Sequence, residues 1–150
     1  TSGVFKVLLR SLFVTDKLDT SGYTIKIGER SIGFWIRLGN IIADADAHRA
    51  IWAAKGAAGK VPCLLCSNVV NDSSASGNLV AINCSDATRF VSATSEDIWD
   101  KCDRLLAAPG HLSQKGVSQL EMACGLNRAP HGLLAGMELR RHIRPARLQS

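Results

Sequence analysis

Hydrophobic spacing divides the chain into elements of different kinds. Residues 3–14, GVFKVLLRSLFV, place apolar side chains at Val4, Val7, Leu8 and Leu12 and again at Phe5, Leu9 and Phe13. That spacing predicts an amphipathic helix. After the polar turn 15–22, YTIKIG (23–28) alternates apolar and basic residues around Ile25 and Ile27, which predicts a half-buried strand. GFWIRLGNIIA (33–43) is a longer, nearly continuous apolar run ending at Asp44, suited to a central strand covered on both faces. Residues 46–55 then read as a short helix. Asp44 or Asp46 would be its N-cap, Ala47, Ala50, Ile51 and Ala54 its buried stripe, and Gly56 its stop.

Farther along, NDSSASGN (71–78) is a polar loop and LVAIN (79–83) a short strand. Thr94 followed by Asp97 has the spacing of a capping box and opens a helix over 95–108 that would bury Ile98, Cys102 and Leu105 beside Trp99 and Leu106. Pro109-Gly110 ends it. Ser113 can cap a last helix, 114–124, stopped by Gly125. The order of elements predicts a mixed α/β fold, with acids at the carboxyl end of its central strand.

Composition narrows the class. At 150 residues with 46% apolar side chains, the chain has one domain's length and enough apolar surface for a core. It begins at Thr1 and ends just after a basic run, and reads as a piece of a longer polypeptide. No secretory signal and no unbroken run of 18 apolar residues is present, which favours a soluble intracellular protein. The formal net charge of +5 is compatible with nucleic acid without demanding it. Part of the excess sits in MELRRHIRPARLQS (137–150), where Arg140, Arg141, Arg144 and Arg147 face the single acid Glu138. That run is a nucleic-acid contact or a solvated face. Five cysteines, an odd number, argue against a secreted disulfide framework and for reduced thiols. Cys102 and Cys124 fall on apolar helix faces and read as small core residues.

Two clusters carry candidate chemistry. Asp44 lies where an apolar strand would meet a helix, the position at which open α/β sheets build sites. A carboxylate there can hold Mg²⁺ or Mn²⁺ through hard oxygen ligands; the plain alternative is a helix N-cap. Asp46 suits a cap or the first helical turn, and His48 the helix surface. The second cluster is VPCLLC (61–66). Two thiolates spaced Cys-x-x-Cys can turn toward one Zn²⁺, and a strand return at 79–83 would bring Cys84 to them as a third ligand. His111, Asp86 or a residue outside the chain would be the fourth. A metal-free cysteine cluster is the alternative. A redox pair would follow a strand at a helix start, whereas this one follows a flexible basic turn. That turn, KGAAGK (55–60), lacks the full phosphate-loop pattern, but Lys55 and Lys60 could still touch a nucleic-acid backbone.

The combination resembles a known family. An Asp followed by an Ala-and-basic helix start (Asp44-Ala45-Asp46-Ala47-His48-Arg49-Ala50), a turn with Gly56 and Gly59, and the Cys63–Cys66 pair is similar to the core of CACTA-type (En/Spm-like) and related cut-and-paste DNA transposases. GLNRAPHGLLAGMELRRHIRPAR also looks like the segment preceding an Asp-x-x-His motif in protist transposon proteins of this general type. The resemblance implies a partial RNase H-like core, a mixed sheet flanked by helices, over residues 1–62. A Cys-rich hairpin insertion would follow over 63–90, and a helical insertion with a basic C-terminal segment over 91–150. It implies that Asp44 is the second of three catalytic acids, the first and third lying outside these residues. It also implies Mg²⁺ or Mn²⁺ in the intact enzyme, transposon-end DNA as partner, and a nuclear protein. A non-catalytic zinc-binding module for nucleic acid or protein is the competing expectation.

Overall fold

The computed structural model describes residues 2–39, 41–136 and 138–142. It is a mixed α and β structure with four α-helices and two separate two-stranded sheets among the described residues. The helices are α1 (Ser2–Arg10), α2 (Ala45–Trp52), α3 (Ser95–Leu106) and α4 (Gln114–Cys124). The strands are β1 (Tyr23–Ile27), β2 (Arg30–Phe34), β3 (Val69–Val70) and β4 (Val80–Ala81).

The helices form where side-chain caps start them. Thr94 accepts a hydrogen bond from the Asp97 N–H at 3.1 Å, while the Asp97 carboxylate accepts from the Thr94 N–H at 2.8 Å. That reciprocal capping box opens α3, as the sequence predicts. Ser113 accepts from the Gly116 N–H at 3.2 Å and opens α4. Gly125, in the left-handed region at φ +72°, closes it. Ahead of α4 the chain needs only the short link 107–113 to turn back, so α3 packs directly on α4.

One core joins the chain's two ends. Leu9 and Phe13 of the N-terminal segment meet Ile51 and Trp52 of α2, Ile98, Cys102 and Leu105 of α3, Cys124 of α4, and Leu126, Leu133, Leu134 and Leu139 beyond it. Residues 1–62 and 91–142 therefore share a single interior. Polar clasps at the rim reinforce it: Lys6 donates to the Ala135 carbonyl, Arg10 pairs with Glu138 at 3.4 Å, and His142 pairs with Asp19 at 2.8 Å while stacking on Phe13.

Four expectations about elements change. β1, expected to be half-buried, is exposed at every position. α1 gives way at Ser11 to a wide π-type turn through Thr15, which carries Phe13 into the core. The run 33–43 is a strand only as far as Phe34. A central strand needs a neighbour on each side, and among the described residues β2 pairs with β1 alone. Beyond it Leu38, Ile41 and Ala43 lean on the core, while Ile42 is 93% exposed. α2 also stops earlier than predicted, at Ala53 with φ +55°, and buries Ile51 and Trp52 while Ala50 stays exposed. The bulky indole, one position on from the expected stripe, rotates the buried face toward itself. No helix among the described residues is long and apolar enough to cross a membrane.

Candidate functional site

Helix α2 and the cysteine turn enclose a groove of about 460 Å³. His48, Arg49 and Trp52 line it from the helix and Cys63, Leu64 and Leu65 from the turn, with Ala43 and Ala45 at its end. The lining is mainly apolar, with imidazole, guanidinium and thiol as its polar groups, a composition suited to ligand binding. Trp52 supplies the buried wall. The sequence marked Asp44 and the cysteines but missed Trp52 and Arg49 as walls. Their only signal is that Trp52 follows the stripe residue Ile51 and that Arg49 stands one turn before Ala53.

Asp44 sits between Ala43 and Ala45 at the groove's rim, exposed to solvent. Its carboxylate accepts the Ala47 N–H at 2.7 Å and so serves as the N-cap of α2, the plainer of the two roles open to it. Asp46 lies in the first turn, as expected, and pairs with Arg49. The His48 Nε2 stands 3.1 Å from the Ile41 carbonyl, which ties the helix to the run before it.

Cys63 and Cys66 are half-buried and close enough to interact through their thiols. Burial first, and the neighbouring Cys63 thiol second, push the Cys66 thiol up to about 11. The Cys66 sulfur is therefore protonated and weakly nucleophilic near neutral pH. Cys84 does not come back to them. The expected hairpin is instead a parallel pair, with Val69 opposite Val80 and Val70 opposite Ala81. Cys66 precedes β3 and Cys84 follows β4, so parallel pairing leaves them at opposite ends of the ladder, where a hairpin would have joined them. The Cys84 sulfur instead contacts the Asp86 carbonyl at 3.7 Å and Arg89 at 3.9 Å. What pairs with the cysteine turn is the later strand-like segment: Ser67 N–H donates to Val91 O at 2.8 Å and Ala93 N–H to Leu65 O at 2.9 Å. Asn68 staples the region by donating to Asn78 O and Arg89 O and accepting from Val91 N–H. Asp86 caps a 3₁₀ turn at 87–89, and His111 is exposed. Among the described residues, no three His, Cys, Asp or Glu side chains gather as a metal group.

The basic turn 55–60 docks on the end of α4. The Lys55 N–H donates to Gly125 O and the Lys60 N–H to Met122 O, both at 2.9 Å, and the Asn127 N–H reaches back to Ala53 O at 2.7 Å. A Cβ at Gly125 would stand 2.3 Å from the Val61 carbonyl, so glycine is required both by the close approach and by the helix end. The Lys55 ammonium is held by Glu121 at 2.8 Å in a largely buried pair. It is therefore engaged inside the molecule, a correction to its expected place on a nucleic-acid backbone, whereas Lys60 is exposed. Arg140 is likewise committed: it pairs with Asp103 and lies 5.6 Å over the Trp99 ring. Arg141 is exposed, with its Nε donating to His142 Nε2 at 2.8 Å. Arg144 and Arg147 lie outside the described residues. Of the described candidates for phosphate contact, Lys60 and Arg141 are the exposed cations.

Comparison with known proteins adds no relative: no family model matches the chain, and no curated protein and no solved structure matches it significantly.

Proposed function

We propose that this chain is part of a transposable-element DNA transposase of RNase H-like type and is inactive on its own. One observation supports the reading. The two halves of the motif, the Asp44–Ala50 helix start through Ala45, His48 and Arg49 and the Cys63–Cys66 turn through Cys63, Leu64 and Leu65, border the same groove although they are separate in the sequence, because the glycine turn folds back on α4. The remaining residues of an RNase H-like core belong to the proposal and not to the described fold. Two divalent ions, when bound in the intact enzyme, activate water and stabilise the leaving oxygen. The described acids do not build such a site. Asp44 is occupied as a cap and Asp46 by Arg49, so no cleavage step is assigned to this chain alone.

The test has two arms. The coding sequence upstream should encode a strand ending in Asp, and downstream an Asp-x-x-His motif and a Glu; a flank without them overturns the transposase reading. The purified chain with Mn²⁺ should leave duplex DNA uncut. Nicking that disappears in Asp44→Asn would reveal a complete site and overturn the claim of inactivity.

A non-catalytic zinc-binding module for nucleic acid or protein is the second reading, favoured by the contact between the Cys63 and Cys66 thiols. Among the described residues they supply two of the four ligands that a structural zinc takes, and the other two would come from elsewhere. Stoichiometric zinc in the purified chain, lost in Cys63→Ser, would favour that reading.

A further inference from the structure

The β1–β2 hairpin presents two exposed faces of opposite character. Its register pairs Tyr23 with Phe34, Ile25 with Ile32 and Ile27 with Arg30 on one face, and Thr24 with Gly33 and Lys26 with Ser31 on the other. Trp35, next in the alternation, joins the second face. Its indole lies along the backbone there. A Cβ at Gly22 would meet the ring Nε1 at 2.7 Å, and a Cβ at Gly33 would meet Cη2 at 3.5 Å. Both ends of the ring system thus approach main chain, one over each glycine, so the ring lies along the hairpin and does not stand away from it. Gly22 is in the left-handed region at φ +69°, so both its conformation and the indole above it require glycine. Even so, Trp35 is 63% exposed, which leaves the outer ring surface open.

We propose that this face, the open indole of Trp35 with Lys26, Thr24 and Ser31 beside it, is a binding surface for single-stranded nucleic acid. A base stacks on an exposed aromatic ring held flat, and each stacked base contributes substantially to affinity whatever its identity. Lys26 stands on the same face at a diagonal cross-strand position from Gly33, about 7–8 Å between backbone positions. A lysine there reaches the phosphate attached to a base stacked over Gly33. The cation of this face is Lys26; Arg30 stands on the opposite face and Glu29 in the turn between the strands, within a chain of net charge +5. A duplex offers no free base face to the indole, so the surface selects unpaired strands. The opposite face, with Tyr23, Ile25, Ile27, Ile32 and Phe34 and with Arg30 at its turn end, is mainly apolar and suits a protein surface instead. The hairpin is separate from the Asp44 groove, so its activity survives or fails independently of the transposase reading.

The measurement is a titration of fluorescein-labelled oligothymidylate and oligouridylate about a dozen nucleotides long, within the usual span of such sites, followed by fluorescence anisotropy so that variants lacking Trp35 are read as well, with tryptophan emission recorded on the native chain. A matched duplex and dextran sulfate serve as controls. Both single strands should quench Trp35; a preference between them tells DNA from RNA. Trp35→Ala should weaken binding about tenfold or more, and Trp35→Phe should keep most of it, because a smaller ring still stacks. Lys26→Ala should lower the slope of log affinity against log salt by about 0.7. Ile25→Ser with Ile32→Ser, on the other face, should leave binding unchanged. Equal binding by Trp35→Ala and the native chain overturns the proposal, as does equal binding of duplex or dextran sulfate. So does loss of binding in the Ile25/Ile32 variant with binding kept in Trp35→Ala, which would place the nucleic acid on the hairpin's other face.

Discussion

The hairpin at 23–34 and the α3–α4 pair are both amphipathic, yet only the helices bury their apolar face. In α3 the stripe of Ile98, Cys102 and Leu105 is closed against α4 and α1, and Ile98 is 1% exposed. In the hairpin, Tyr23, Ile25, Ile27 and Ile32 form an equally regular apolar row that nothing among the described residues covers. The difference is one of connection. A seven-residue link returns α4 onto α3, whereas β2 leads into an extended run that passes along the core and brings no layer back over the sheet. Amphipathic spacing thus identifies a face able to be buried; whether it is buried depends on what the chain folds back onto it.

The contrast can be broken or sharpened by substitution. The largest effect should come from Ile98→Ala, which removes a fully buried side chain and should destabilise the fold by about 2–5 kcal/mol in chemical denaturation. Next is Glu121→Gln. It leaves the largely buried Lys55 ammonium without its partner and should cost about 1–3 kcal/mol. The same group carries a pH signature. Burial acts to raise the Glu121 carboxyl, but the Lys55 ammonium and the Arg128 N–H overcome it and hold the group below its ordinary value of 4.5. The unfolded chain therefore takes up this proton first as the solution is acidified. Glu121's contribution is complete above about pH 4.5 and is lost as pH falls through the lower folded value. Denaturation midpoints across the acid range should show a shallower acid limb in Glu121→Gln.

Thr94→Ala should cost about 1 kcal/mol by removing half of the capping box. In that variant Asp97, held low by its bonds to Thr94, should titrate closer to an ordinary carboxyl, as carboxyl NMR would record. The smallest effect belongs to the hairpin: Ile32→Ser should cost about 0.5 kcal/mol, since only a half-exposed cross-strand contact with Ile25 is lost. A cost near that of Ile98→Ala would show that the hairpin's apolar row is covered in solution and remove the distinction between the two regions.

Local chemistry made much of this molecule legible in advance. Thr94 and Asp97, Ser113 and Gly125 set helix ends through bonds made within a few residues, so the spacing of residue types was sufficient. The burial of Cys102 and Cys124 followed from the same helical period. The mixed α and β character was legible as well. The candidate site was legible only in part: Asp44 was recognisable as a helix-start residue and Cys63–Cys66 as a close pair, but the partners of each were not. Cys84 failed as their neighbour because strand direction is set by long-range pairing, and Val69–Val70 runs parallel to Val80–Ala81. Lys55 and Arg140 looked like free cations because their acids, Glu121 and Asp103, lie 66 and 37 positions away.

The sequence by itself determined where α3 and α4 begin, which of their faces are apolar, and where the thiols and acids cluster along the chain, since these depend on residues within one or two turns of each other. Tertiary structure alone decided that β2 has β1 as its one strand partner among the described residues, that the glycine turn grips α4 at Gly125, and that Trp35 lies open across Gly22 and Gly33. Each of those depends on which distant backbone comes within contact distance, and hydrophobic spacing along one segment carries no information about that.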